Sequence, residues 1–374
     1  MMWRRLCVLL CCAATFGCDR PPPSATDGGS QVRLEQRMAA APDPGFARAI
    51  EPRSFVFPQD HGPHPAFATE WWYLTGNLED AQGRAFGYQL TLFRVGLEPG
   101  QPAADSAWRT HQIYMGHLAL SDIAERRHHS AERFSRAAVG LAGAESVPLR
   151  VWLGPWAIEG GADDLFPLRL DAAADGLAIE LELTAGDKPL VLQGERGLSR
   201  KSAAPGNASY YYSYTRLPTT GAVRIDGRQY RVNGDSWLDR EWSSSALAAD
   251  QAGWDWFALQ LEDGRDLMFY RMRGRDGQAQ RFSKGVLVAA DGSAEALTLE
   301  DVTLEPTRRW RSADGVDYPV AWRLAVPGHG LDLEVEAAFD DQEMDHTVRY
   351  WEGAVVVRGS QRGVGYLELS GYAP

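Results

Sequence analysis

The chain has 374 residues, 44% hydrophobic content, thirteen Trp and a formal net charge of −12. That length exceeds one ordinary core and points to two domains of roughly 150–200 residues each. No Lys/Arg-rich stripe offsets the acidic balance, which excludes a nucleic-acid footprint.

The chain opens on MMWRRLCVLLCCAATFGC, with Arg4 and Arg5 before an apolar run from Leu6 to Phe16. This pattern predicts a secretory signal, too short to span a membrane as a helix. All four cysteines, Cys7, Cys11, Cys12 and Cys18, lie in this segment. No disulfide framework or thiolate metal site is therefore available downstream. Thr15-Phe16-Gly17-Cys18 resembles a bacterial lipobox, which makes residues 1–18 a lipoprotein signal peptide and Cys18 the lipidated residue. A plain signal peptide cut elsewhere is the alternative. Asp19 after that cysteine resembles an inner-membrane retention signal, so the expected location is the periplasmic side of the inner membrane, with the outer membrane as the alternative. The Pro-rich, polar DRPPPSATDGGSQ then predicts a flexible tether over 19–50, and a folded body from near Phe55.

The body reads as strands. In RAFGYQLTLFRV, Phe86, Tyr88, Leu90 and Leu92 share one face and Gly87, Gln89 and Thr91 the other. HQIYMGHLALSD, LAIELELTA, GWDWFALQLEDG, DLMFYRMRG and LDLEVEAAF behave alike, with turn pairs such as Asp263-Gly264 between them. Many short strands of this kind predict barrels or sandwiches. A short echo, WWYLTGNLEDAQGR at 71–84 and DWFALQLEDGR at 255–265, suggests two related units in tandem.

The ordered series EWWYLTGNL, SYYYSYTRL, GDSWLDREWSSS, GWDWFALQLEDG, YPVAWRL, YWEGAVVVRG and GYLELSGY resembles the AttH/CrtC-type lipocalin-like family, which includes carotenoid 1,2-hydratase. The resemblance covers the chain from about residue 55 onward. It implies an all-β fold of two tandem lipocalin-like β-barrels, at 51–245 and 246–374. It also implies a long apolar ligand, a lipid or an isoprenoid, and no cofactor. In the hydratases it implies addition of water to an isoprenoid double bond. Some members resemble accessory proteins of an ABC-type exporter, so a membrane transporter is a further candidate partner.

Read as a strand, GDSWLDREW puts Asp235, Trp237, Asp239 and Glu241 on one face and Ser236, Leu238, Arg240 and Trp242 on the other. Crowded, desolvated carboxylates have raised pKa values. Hydration of an alkene needs such an acid, together with aromatic faces to stabilise a carbocation. Asp239 is the first candidate acid, with Glu241 and Asp235 in reserve. Glu70, Trp71, Trp72, Tyr212, Trp237, Arg240, Trp242 and Tyr270 are the candidate ligand contacts. Trp71 and Trp72 must point to opposite faces, and Glu70-Trp72-Leu74 is the face expected to line a cavity. The competing expectation is a lipocalin-type end plug, Trp71 or Trp72 stacked on Arg240 with Asp239 or Glu241 as its ion-pair partner. This chain also has Asp239-Arg240-Glu241-Trp242 where hydratases carry Asp-His-Glu-Trp. It has Tyr270-Arg271-Met272 where they carry Tyr-x-Asp. His61 and His64 in DHGPHP read as solvated loop residues rather than metal ligands, and no metal is expected.

Overall fold

A computed structural model describes residues 45–100, 106–244 and 247–373. The signal peptide, Cys18, Asp19 and most of the expected tether therefore lie outside the described residues, as do residues 245 and 246 at the expected domain boundary. The end of the tether differs from expectation. Phe46 is buried, with its ring against Gly96, and Ala49 is fully buried. The apolar ring needs a partner, so packing against the body starts upstream of Phe55.

The described residues form two antiparallel sheets, of thirteen and ten strands, and the two helical elements are single three-residue 3₁₀ turns. In the first sheet, strands Thr69–Asp80, Ala85–Gly96, Gln112–Asp122 and Arg127–Arg136 pair in sequence order. The free edge of Thr69–Asp80 pairs with Arg228–Ser243, the last strand of that sheet. The second sheet repeats the device, with its first strand Gln251–Leu261 paired to its second, Asp266–Gly274, and to its last, Gly363–Leu369. These are the two tandem lipocalin-like barrels.

Alternation decides which side chains fill each barrel. Trp72, Leu74, Phe86, Tyr88, Leu90, Leu92 and Leu238 point into the first, where they meet Leu153, Trp156 and Leu170 from the far strands. Gly116 is required there, because a Cβ would lie 2.9 Å from Leu153 and Trp156. Phe257, Leu259, Phe269, Trp322 and Trp351 fill the second. Both barrel interiors are packed cores.

A long hairpin fixes the register of the site. Ala208–Ile225 and Arg228–Ser243 are joined by Asp226-Gly227, both at positive φ (49° and 80°), as a two-residue hairpin turn demands. The register aligns Tyr211 with Glu241 and Ser213 with Asp239. A register shift between Tyr214 and Leu217 interrupts the ladder, and Arg216 within it reaches across to Asp266 of the second sheet, at 2.6 Å. Lys188 (2.6 Å) and Thr215 (2.7 Å) reach the same buried carboxylate. Gly87 marks the close approach of the sheets, since a Cβ would lie 2.6 Å from the Tyr366 hydroxyl and 2.8 Å from Ala354.

Candidate functional site: a cavity between the barrels

Strands Thr69–Asp80 and Arg228–Ser243 present two different surfaces. Cross-strand partners share a face. Glu70 pairs with Trp242, Trp72 with Arg240 and Leu74 with Leu238 on the barrel side; Trp71 pairs with Glu241, Tyr73 with Asp239 and Thr75 with Trp237 on the other. The expectation that Glu70, Trp72 and Leu74 line a cavity is thus reversed.

The barrel side is the plug. The Arg240 guanidinium lies 3.9 Å from the Trp72 ring centroid, a cation–π contact. Its ion-pair partner is Glu70, not Asp239 or Glu241, because only Glu70 shares its face. Glu70 contacts both Arg94 and Arg240, and its oxygens accept from the His64 backbone N–H at 3.0 Å. Burial works to raise the Glu70 pKa, but the two guanidiniums hold it far below the usual carboxylate range. Trp242 stacks on His64 at 3.7 Å. Tyr212 bonds the His61 ring at 2.6 Å. His61 and His64 are not solvated: His61 is 2% exposed, and burial first, then Arg240, lowers its pKa to about 4. His64 bridges Asp60 (3.1 Å) and Glu70 (3.3 Å). No metal-binding cluster occurs among the described residues. Glu70, Trp72, Tyr212, Arg240 and Trp242 therefore belong to the structural plug.

The opposite face opens on a cavity between the two barrels. Asp239, Glu241, Trp71 and Tyr270 line it, as do Tyr73, Lys201, Tyr211, Trp254, Trp256, Met272, Tyr350, Glu352 and Glu368. Asp239 is 3% exposed. Its Oδ2 accepts from the Tyr211 hydroxyl at 2.5 Å, and its Oδ1 from Ser213 Oγ at 2.5 Å and Trp237 Nε1 at 2.7 Å. Burial pushes its pKa up to about 7 against the pull of these three neutral donors. Trp237 thus serves the site by holding Asp239. Glu241 accepts from Ser209 Oγ and pairs with Lys201 at 3.3 Å. Lys201 in turn lies 4.3 Å over the Tyr270 ring. Asp235 does not reach the cavity; it is partly exposed and pairs with Arg216 at 3.4 Å.

The second barrel supplies the facing wall. Glu352 and Glu368 are cross-strand partners, and Glu368 also pairs across to Trp256. Tyr73 donates to Glu352 Oε1 at 2.5 Å, and Trp254 Nε1 to Glu368 Oε1 at 3.0 Å. Burial, then the charge of Glu368, drives the Glu352 pKa well above the usual carboxylate range despite the Tyr73 hydrogen bond. Two protonatable carboxyls, Asp239 and Glu352, therefore share one aromatic enclosure. Met272 also lines the cavity but brings no acid, and the carboxyls come from other strands. Sequence reasoning missed Glu352 and Glu368, although each is a lone acid among apolar residues in YWEGAVVV and GYLEL.

An AttH protein from Nitrosomonas europaea has the same fold with a TM-score of 0.79 and 36% identity, covering 88% of this chain and 100% of that one. Kievitone hydratase from Nectria haematococca matches with a TM-score of 0.64 at 15% identity, over 88% of this chain and 97% of its own. CghA, solved with Sch210972, matches with a TM-score of 0.52 at 17% identity, over 91% and 98%. At such identities these two show the fold alone. No curated protein matches. The AttH-like family model matches residues 48–372, and the chain belongs to that family.

Proposed function

We propose that the protein binds a largely apolar, unsaturated molecule between its barrels and transfers protons to and from it without a cofactor. Hydration or shift of an isoprenoid-type double bond is the reaction that fits. The observation that carries this reading is Asp239, a fully enclosed carboxyl poised near neutral pH and facing aromatic rings. Such a group can hold a proton at pH 7 and release it to a substrate. A proton from Asp239 would add to the alkene carbon, and the faces of Trp71 and Trp256 would stabilise the cation. Water would close the new C–O bond and return its proton to a carboxylate.

The test is incubation with a panel of isoprenoid alkenes in ¹⁸O-water, read by mass spectrometry. A labelled water adduct is expected with the native protein and should be lost with Asp239→Asn. Ligands recovered unchanged from a protein that binds them would leave a carrier and overturn the enzyme reading. The lipobox-like Cys18 supports anchoring on the periplasmic side of the inner membrane, within reach of a transporter partner. Cys18→Ala should then move the protein from the membrane fraction to the soluble one; retention would sink the anchor.

A further inference from the structure

A second line of buried polar groups leaves the cavity on the side of Glu352. His117 is fully buried on strand Gln112–Asp122. Its Nδ1 lies 2.7 Å from the Tyr350 hydroxyl, and its Nε2 lies 3.1 Å from Glu132 Oε1. Glu132 sits on the edge strand Arg127–Arg136, with its side chain 14% exposed. Its other oxygen accepts from Thr347 Oγ1 at 2.7 Å. At the inner end, Tyr350 lines the cavity. After burial, the charge of Glu352 is the main influence raising the pKa of its hydroxyl. The Tyr350 side chain lies within hydrogen-bonding reach of Glu352. The first barrel thus supplies a carboxylate and an imidazole, and the second supplies a phenol and a carboxyl. Packing alone does not call for that order of groups, which leads from the sheet edge to the cavity.

We propose that Glu132, His117 and Tyr350 form a proton path between solvent and the interbarrel cavity, ending at Glu352. In the tautomer with its hydrogen on Nε2, His117 donates to Glu132 and accepts from Tyr350 at Nδ1. For outward transfer, Tyr350 takes a proton from Glu352 as it gives its own to Nδ1. Nε2 then releases its hydrogen to Glu132, which passes it to water. One proton has left, and the imidazole stands in its other tautomer. An inward passage reverses each hop and restores the first tautomer. A reaction that takes up one proton and returns one therefore leaves the path reset. The His346 ring lies 5.7 Å from that of His117. Burial first, then His117, lowers its pKa, so it adds no fixed charge at neutral pH. Glu132 and His117 are positioning residues that act through Tyr350.

The path serves the acid–base reading of the cavity, yet its test needs no substrate. Infrared spectroscopy of the full protein follows the C=O stretch of protonated Glu352, identified by its loss in Glu352→Gln, after dilution into D₂O. Tyr350→Phe and Glu132→Gln should each slow deuteration of that band by about tenfold or more. Tyr88→Phe, which removes an equally buried hydroxyl in the first barrel, should leave the rate unchanged. Should Tyr350→Phe fail to fold, Glu132→Gln at the sheet edge carries the test. Wild-type rates in the folded path variants, or no protonated band lost in Glu352→Gln, would overturn the path. Titration of Asp239, read separately from Asp239→Asn difference spectra, shows whether the acid–base reading stands independently.

Discussion

Glu70 and Asp239 lie on paired strands, and neither is more than 3% exposed. Their pKa values nevertheless shift in opposite directions. Glu70 faces the first barrel's interior, where Arg94 and Arg240 hold it ionised. Asp239 faces outward between the barrels, where Tyr211, Ser213 and Trp237 offer hydrogen bonds but no positive charge. Depth alone would raise both pKa values. The partners decide, and the alternation of the strand decides the partners. One ribbon thereby carries a fixed ion cluster on one face and, on the other, an acid whose pKa is raised toward neutrality.

The comparison breaks most visibly at Glu70. Glu70→Gln keeps the shape but leaves Arg94 and Arg240 buried without a counter-charge. Removing one partner of such a cluster costs about 3–5 kcal/mol. Urea unfolding at pH 7 should show a loss of that size. A loss below about 1 kcal/mol would mean that the two guanidiniums find other acceptors, and the plug would not depend on its carboxylate.

The pH dependence of stability sharpens the contrast. Asp239 titrates near 7 in the fold against 3.8 for the free group. Between those values the folded chain keeps a proton that the unfolded chain has released. Its contribution to stability is therefore full below the unfolded pKa and falls as pH rises, by about 1.4 kcal/mol per pH unit. Glu70, with its pKa lowered, contributes full stability above the ordinary glutamate value of 4.5 and loses it as pH falls below that. Between pH 5 and 6.5, wild type should lose about 2 kcal/mol relative to Asp239→Asn. Parallel curves would show that Asp239 is ionised throughout and would remove the proton from the proposed chemistry.

The strands, the tandem barrels and the one-face grouping of Trp237, Asp239 and Glu241 were legible because period-two alternation is local. Which face looks into a barrel was not, because WWYLTG is apolar on both sides. Both faces of this strand are buried, one in the core and one under the second barrel. That is the physical meaning of Trp71-Trp72: Trp72 fills a barrel and Trp71 lines the gap. Asp235 shows the same limit, since it shares the face of Asp239 but lies beyond the cavity. Glu352 and Glu368 were hidden for a different reason. Their pairing with Tyr73 and Trp254 depends on how the barrels dock, which no strand periodicity encodes.

Glu352 offers the smallest effect and the finest discrimination. It is as enclosed as Glu70, at 2% exposure, so burial cannot separate the two. If burial and Glu368 keep it protonated, it is already neutral at pH 7. Glu352→Gln then exchanges one neutral group for another of the same shape. The amide oxygen can accept from the Tyr73 hydroxyl as Oε1 does, and the amide nitrogen can donate to the Tyr350 hydroxyl as the protonated carboxyl would. The expected change in unfolding free energy is within about 0.5 kcal/mol. An ionised Glu352 would behave differently. Removing a buried charge beside Glu368 would then stabilise the protein by more than about 1 kcal/mol. The same Glu-to-Gln change thus costs several kcal/mol at Glu70 and almost nothing at Glu352, because one carboxylate balances two arginines and the other carries its own proton. A clear gain in stability would show that Glu352 is charged, and the cavity would hold one protonated acid rather than two.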